Sequence, residues 1–378
     1  MENRDHSVNF SSSRRRLVGH KKQVTCVCSN GIILFSGSAD KTVRVWDAVR
    51  MKNPYAQRCI IVDSQNAVSS VACSASNPNQ ILVTAGIELF EFDTRMDNHV
   101  LIKHPLWRAR PVGAKTSNNA DPSIAPDLEN EINSVRINPA TNSIVLADDA
   151  GNITFIDAKQ DKDRTSQIYT LKRHHESIVM RAEFRKRRRN ELLSCGLDSR
   201  MIRWDILKRK PLEVYNLAEI LSDKSVQYVN PPWICDISEH DDGRMVAAAL
   251  QNGDVCVIDT SISQRASGNK NRKKSSTLYE SSTSKTVVHS YLGGAEYRGA
   301  VSSVKFVSND IVSGGAGKSG TLCIWKYEAS TDKFSDKPVC RINLGKTVHE
   351  FCTLLPNQVS PLFFALNSKD ISVLNLHE

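Results

Sequence analysis

Residues 19–47 read GHKKQVTCVCSNGIILFSGSADKTVRVWD. Three short runs of alternating apolar and polar residues are separated by a turn at Asn30-Gly31 and another at Ala39-Asp40-Lys41, which is the signature of a three-stranded meander. The same order returns over 174–205, HHESIVMRAEFRKRRRNELLSCGLDSRMIRWD, again closing on Trp-Asp. Weaker copies end at Phe92-Asp93, Ile156-Asp157 and Ile258-Asp259, and two more end at Trp325-Lys326 and near Leu374-Asn375. Seven copies therefore fill the chain at about 55 residues each, longer than the usual ~40–45 because some loops carry insertions.

The GH…SGSADKTVRVWD and H…SCGLDSRMIRWD strings resemble the WD-repeat β-propellers. The fold this resemblance implies is an all-β, seven-bladed WD-repeat β-propeller. A single four-stranded blade cannot bury both faces, so blades are stable only between neighbours, and a closed ring gives every blade two. The copies begin partway through a blade, so Arg16-Leu17-Val18 is expected to supply the outer strand of the last blade, pairing with Ile371–Leu376 and closing the ring. The expected organisation is a disordered tail over 1–15 and one propeller over 16–378, with insertions at 104–130, 206–232 and 261–284. The LAEILSD string in the second insertion reads as a short helix.

The composition fits this picture. The chain has 378 residues, a formal charge of +9, 40% hydrophobic and 24% charged residues, which excludes a disordered chain and a small stapled scaffold. It contains no run of ~18–20 apolar residues and no apolar signal core near its start, so a soluble, intracellular protein in cytoplasm or nucleus is expected. The ten cysteines are scattered without CxxC pairs and read as buried free thiols.

His20, Ser36, Asp40 and Trp46 resemble the family's buried hydrogen-bond set. In copy four the set is Ser194, Asp198, Trp204 and either His174 or His175. A Ser/His/Asp trio also invites a nucleophilic reading, but its recurrence with the blades marks a structural bolt rather than one active site. No metal-ligand or phosphate-loop pattern is present, so no metal, cofactor or enzymatic activity is expected.

Partner contacts are expected on loops and strand ends. Phe92-Asp93-Thr94-Arg95 resembles the box by which some WD-repeat propellers dock on the adaptor subunit of cullin-RING ubiquitin ligases; the following copy offers Asp157 and Lys159. Arg185, Lys186, Arg187, Arg188 and Arg189, with Lys270, Arg272, Lys273 and Lys274, predict a basic face that attracts acidic protein. Direct nucleic-acid binding is disfavoured because no aromatic residues are interleaved for stacking. The function expected is a non-enzymatic interaction scaffold, monomeric within a complex, recruiting substrate to such a ligase. A reader of histone tails or modified peptides, needing an acidic or aromatic ring at the channel mouth, is the alternative; a propeller hydrolase with a channel metal ranks below it.

Overall fold

The computed structural model describes residues 11–48, 54–74, 77–95, 100–111, 130–157, 168–171, 174–221, 231–261, 288–292, 299–315, 320–331, 333–353, 362–366 and 368–377. It is an all-β propeller: six blades in a ring and a further sheet built from both ends of the chain. The blades have innermost strands Val24–Ser29, Val68–Cys73, Ile132–Ile137, Val179–Phe184, Ile234–Glu239 and Val301–Val307, each followed outward by antiparallel partners. In the remaining sheet Val348–Thr353, Leu362–Leu366 and Ile371–His377 are completed by Ser11–Leu17, which runs antiparallel with Leu17 opposite Ile371 and Ser11 opposite His377. The chain-end pairing is the one the repeat phase predicts. Its strand, however, begins at Ser11, inside the segment expected to be a disordered tail.

Each sheet buries both faces against its neighbours, and the apolar side chains fall into clusters that each straddle two successive sheets. Phe35, Val43 and Val45 of the first blade meet Val68, Phe90 and Phe92 of the second. Around the ring, Leu17, Ile371 and Val373 of the chain-end sheet meet Val24, Leu34 and Trp46 of the first blade. Leu193 and Cys195 of the fourth blade likewise pack on Ile237 and Val246 of the fifth. Six of the ten free cysteines are buried and four are half-buried. Gly37 is required where the first blade approaches the second, because a Cβ there would lie 2.4 Å from Val68 Cγ1 and 2.6 Å from Cys26 Sγ.

A register shift recurs in every innermost strand, at Val24/Cys26, Val68/Ser70, Ile132/Ser134, Val179/Arg181, Ile234/Asp236, Val301/Ser303 and Val348/Glu350. The skipped residue leaves the ladder and is free to reach the next sheet. Thr25 Oγ1 donates to Val68 O at 2.6 Å, Ser69 Oγ to Ile132 O at 2.6 Å and Ser302 Oγ to Val348 O at 2.6 Å. These bonds tie successive innermost strands together near the axis, where apolar packing area is smallest.

Two insertions differ from expectation. After Glu88–Asp93 the chain steps back to lay Leu101–Ile102 parallel on Arg58–Ile61, making the first blade five-stranded, and then returns as Trp107–Ala109, the outer strand of the second blade. The stretch starting at 104 thus contains blade. So does the stretch starting at 206, since Lys210–Asn216 is the outer strand of the fourth blade. It leads into the expected short helix, Leu217–Ile220, capped by Asn216 Oδ1 accepting from the Ala218 amide. Residues 112–129, 222–230 and 262–287 lie outside the described residues. No helix among the described residues is long and apolar enough to cross a membrane.

Candidate functional site

The buried polar set of the first blade is a linear relay. Trp46 Nε1–H donates to Ser36 Oγ at 2.9 Å, the Ser36 hydroxyl meets His20 Nε2 at 2.8 Å, and His20 Nδ1 meets Asp40 Oδ2 at 3.2 Å. The Trp donor fixes the direction: Ser36 accepts from indole and donates to Nε2, so Nδ1 carries the proton toward Asp40. Asp40 also accepts the Lys21 amide at 2.7 Å and the Thr42 hydroxyl at 2.6 Å. These bonds hold Lys41 in the left-handed region at φ +65°, a conformation that ordinarily costs an L-residue about 1 kcal/mol. The fourth blade repeats the relay: Trp204 Nε1 to Ser194 at 2.8 Å, Ser194 to His175 Nε2 at 2.8 Å, and His175 Nδ1 to Asp198 at 2.9 Å. His175 therefore fills the position; His174 instead sets its ring edge-on to Trp204, 5.1 Å between centroids.

In connectivity this is a Ser-His-Asp triad, yet Ser36 and Ser194 are fully buried and each spends its oxygen on an indole N–H. Neither hydroxyl can meet a substrate. Burial raises the Asp40 carboxyl, but the bonds from His20, Thr42 and the Lys21 amide outweigh it and hold Asp40 well below the ordinary carboxylate range; Asp198 is lowered in the same manner by His175. A carboxylate lowered in the folded state stabilises above its unfolded value and loses that contribution as pH falls through the folded one. The melting temperature is accordingly expected to drop steeply below about pH 4, and Asp198→Asn to be less stable at pH 7 but to lose less between pH 4 and 2. A pH profile of melting in both proteins checks this; parallel acid limbs would contradict it.

Phe92 is fully buried and Thr94 nearly so, whereas the Arg95 side chain is 64% exposed just past the third strand of the second blade. Its Nε and Nη2 donate to the two Asp93 oxygens at 3.0 and 2.6 Å, a fork that presets the guanidinium and keeps Asp93 ionised. Asp157 lies just past the third strand of the next blade, Ile153–Ile156, and accepts from Ser143 Oγ at 3.3 Å; Lys159 lies outside the described residues.

Among the described residues of the expected basic face, Arg185 is withdrawn into the interior, while Lys186, Arg187 and Arg189 stay exposed and Arg188 is half-buried. Arg185 is buried, with Nε on Glu239 Oε1 at 2.5 Å and Nη2 on Gly243 O at 2.6 Å and Thr260 Oγ1 at 2.8 Å, so it bolts the fourth blade to the fifth. Lys186 pairs with Asp241 at 2.6 Å and Arg188 with Glu191 at 3.5 Å. Arg187 and Arg189 are exposed without a carboxylate partner among the described residues. Lys270, Arg272, Lys273 and Lys274 lie outside the described residues.

The residues that sequence reading missed lie on the axis. The position following the register shift is occupied by Cys26, Ser70, Ser134 and Ser303 in four sheets, but by Arg181, Asp236 and Glu350 in the other three. Arg181 bonds Asp236 at 3.0 Å and Glu350 at 2.5 Å. Arg136 bonds Glu350 at 3.5 Å and Glu183 at 3.3 Å, and Lys305 bonds Asp236 at 3.2 Å. Glu350 belongs to the chain-end sheet, and Arg136 and Arg181 to the third and fourth blades, which are not its neighbours, so these bonds span the ring. Three cations and three carboxylates form a neutral plug. Burial pushes Asp236 up, but Lys305 and Arg181 hold it down to about 2. Asp236 Oδ2 and Glu350 Oε2 also accept the Val304 and Val27 amides at 3.1 Å, satisfying innermost-strand donors that no further strand covers. The acidic or aromatic ring required of a cationic-peptide reader is not formed at these positions: each carboxylate already has its cation.

A family model described as WD domain, G-beta repeat matches residues 11–47. The chain is 25% identical over 270 residues to the WD repeat-containing protein 53 homolog of Dictyostelium discoideum, covering 65% of this chain and 64% of that protein. It is 40% identical over 62 residues to the WD repeat-containing protein 18 of Bos taurus, covering 14% of each. The similarity thus spans less than two thirds of either relative's length.

Proposed function

We propose that this chain, of the WD40-repeat family, is a non-enzymatic interaction scaffold in which the chain-end sheet serves as a seventh blade and Arg95 is the contact for a ligase adaptor. WD40 propellers generally bind proteins, and this one gives a rigid ring with its axis filled, so partners must engage faces and edges. The observation that carries the adaptor reading is the Arg95 guanidinium, exposed at a strand end and oriented by Asp93 on one side only. That leaves Nη1 to engage an acidic or carbonyl-rich surface, and the preset fork lowers the ordering cost of doing so. Recruitment of substrate to a cullin-RING ubiquitin ligase follows from such a contact, with the rest of the ring left for substrate.

The test is capture of the purified ligase adaptor by the full chain and by Arg95→Ala. Arg95→Ala is expected to weaken capture by about tenfold or more while melting near the wild-type temperature, since an ion pair made by so exposed a side chain contributes little to stability. Equal capture by both proteins, or none by either, would remove the adaptor from this reading and leave the scaffold alone.

A further inference from the structure

The strand that closes the ring carries an arginine run on an open edge. Arg14, Arg15 and Arg16 are all exposed, and none has a carboxylate within ion-pair distance among the described residues. The contact made by Arg14 is neutral, Nη2 to Ser372 Oγ at 3.2 Å. Burial and the neighbouring charge of Arg16 both lower Arg14, as expected of like charges that no carboxylate screens. Cross-strand pairing puts Arg14 opposite Leu374 and Arg16 opposite Ser372, on the sheet face turned toward the sixth blade, while Arg15 and Leu17 lie on the other.

Ser11–Leu17 is outermost in its sheet, so half of its backbone groups point away from the ladder. Which half is fixed by its continuation: the Val18 amide points outward and donates to Pro54 O at 2.7 Å, in a parallel bridge with Tyr55. The two-residue period then turns the amides of Arg16 and Arg14 outward as well. This edge already accepts one extended segment at Val18, and among the described residues the next two outward donors, Arg16 and Arg14, have no backbone partner.

We propose that the outer edge of Ser11–Leu17 is a docking site for an extended acidic segment of a partner protein, which adds as a further strand and sets carboxylates on Arg14 and Arg16. Arginines two residues apart on one strand match carboxylates two residues apart on another, about 6.6 Å along the strand. A second copy of this chain is disfavoured as occupant because two arginine edges repel. Nucleic acid and anionic lipid match the charge and offer phosphate acceptors to the outward amides, but neither supplies donors at strand spacing for the outward carbonyls that a ladder must also pair. The proposal is independent of Arg95, which sits on the second blade.

The test uses the full chain and a fluorescein-labelled peptide, Gly-Val-Glu-Val-Glu-Val-Gly, with its Gln-for-Glu counterpart, read by anisotropy at two salt concentrations. The Glu peptide is expected to bind at least about tenfold tighter than the Gln peptide, less so at high salt. Arg16→Gln removes a charge; Arg16→Pro removes the same charge and the outward N–H, which the internal ladder does not use. Binding is expected to weaken several-fold in the first and to vanish in the second, with both variants folded by melting. Indifference to the Glu-to-Gln change, or equal loss in the Gln and Pro variants, would overturn the proposal. So would Arg14- and Arg16-dependent capture of single-stranded DNA or phosphatidylserine vesicles without capture of the peptide, which would assign the edge to another class of partner.

Discussion

Arg181→Met is expected to destabilise the propeller by about 3–5 kcal/mol, the cost of breaking a buried ion pair from one side. Burial disfavours the charged guanidinium, and Glu350 and Asp236 more than offset that, so the cation and its carboxylates are mutually dependent. With methionine in place, Glu350 keeps Arg136 at 3.5 Å and the Val27 amide, and Asp236 keeps Lys305 and the Ser303 hydroxyl. Each would remain a buried anion with a weakened counterion. The second substitution Glu350→Gln should therefore recover part of the loss, since a neutral amide no longer needs Arg181. Chemical denaturation of the wild type, both single variants and the double variant measures this. A single Arg181→Met variant within about 0.5 kcal/mol of wild type would mean that the axial charges are hydrated and do not depend on one another.

Removing the chain through Leu17 is expected to have the larger effect on shape. Seven residues of ladder with Ile371–His377 are lost, and Leu17 leaves a core shared with Trp46, Val24 and Val373. The Leu17 side chain alone is worth roughly 2–5 kcal/mol on the scale of leucine deletions. The strand Ile371–His377 becomes an edge, a template for pairing with another chain. The truncated protein should melt earlier, with a broader transition, and scatter light increasingly with concentration. A synthetic peptide spanning residues 11–18 should raise the melting temperature, whereas the same peptide with Leu17→Asp should not. A truncated chain that stays monomeric and melts as the wild type does would show that the ring holds without its clasp.

What could be read in the sequence was what recurs locally. The strand, turn, strand, Asp-turn, strand order is written within each copy, and the phase of the copies predicts Arg16 to Val18 as partner of the last strand. The relay of His20, Ser36, Asp40 and Trp46 is legible for the same reason. Even the ambiguity at His174 and His175 has a local solution, because His20 stands four residues before Val24 and His175 four before Val179. The axial plug was not legible, because it depends on which sheets face each other across the ring. Its trace is charge in otherwise apolar or hydroxyl positions, Arg181, Asp236 and Glu350, and only the shifted register shows these to be equivalent. The burial of Arg185 within the basic run was not legible for a related reason. Arg185 sits one residue beyond Phe184, where the end of an innermost strand points between blades, and its counter-charge Glu239 lies a whole repeat away. The outer strands Trp107–Ala109 and Lys210–Asn216 are not legible in the sequence, because outer strands are half solvated and carry little apolar alternation.

The ladder between the two ends of the chain also sets a schedule. Arg14 and its partner Ser372 are 358 residues apart, so at ~5–20 residues per second the first-made strand waits roughly 20–70 s on the ribosome for its complement. Throughout that interval the first blade is without the neighbour that covers Val24, Leu34 and Trp46, and the arginine-bearing strand has both edges open. Synthesis therefore passes through a long-lived open arc with an apolar face at its leading end, and a holdase that shields this face until the last strand emerges would raise the yield of closed rings without touching their final stability.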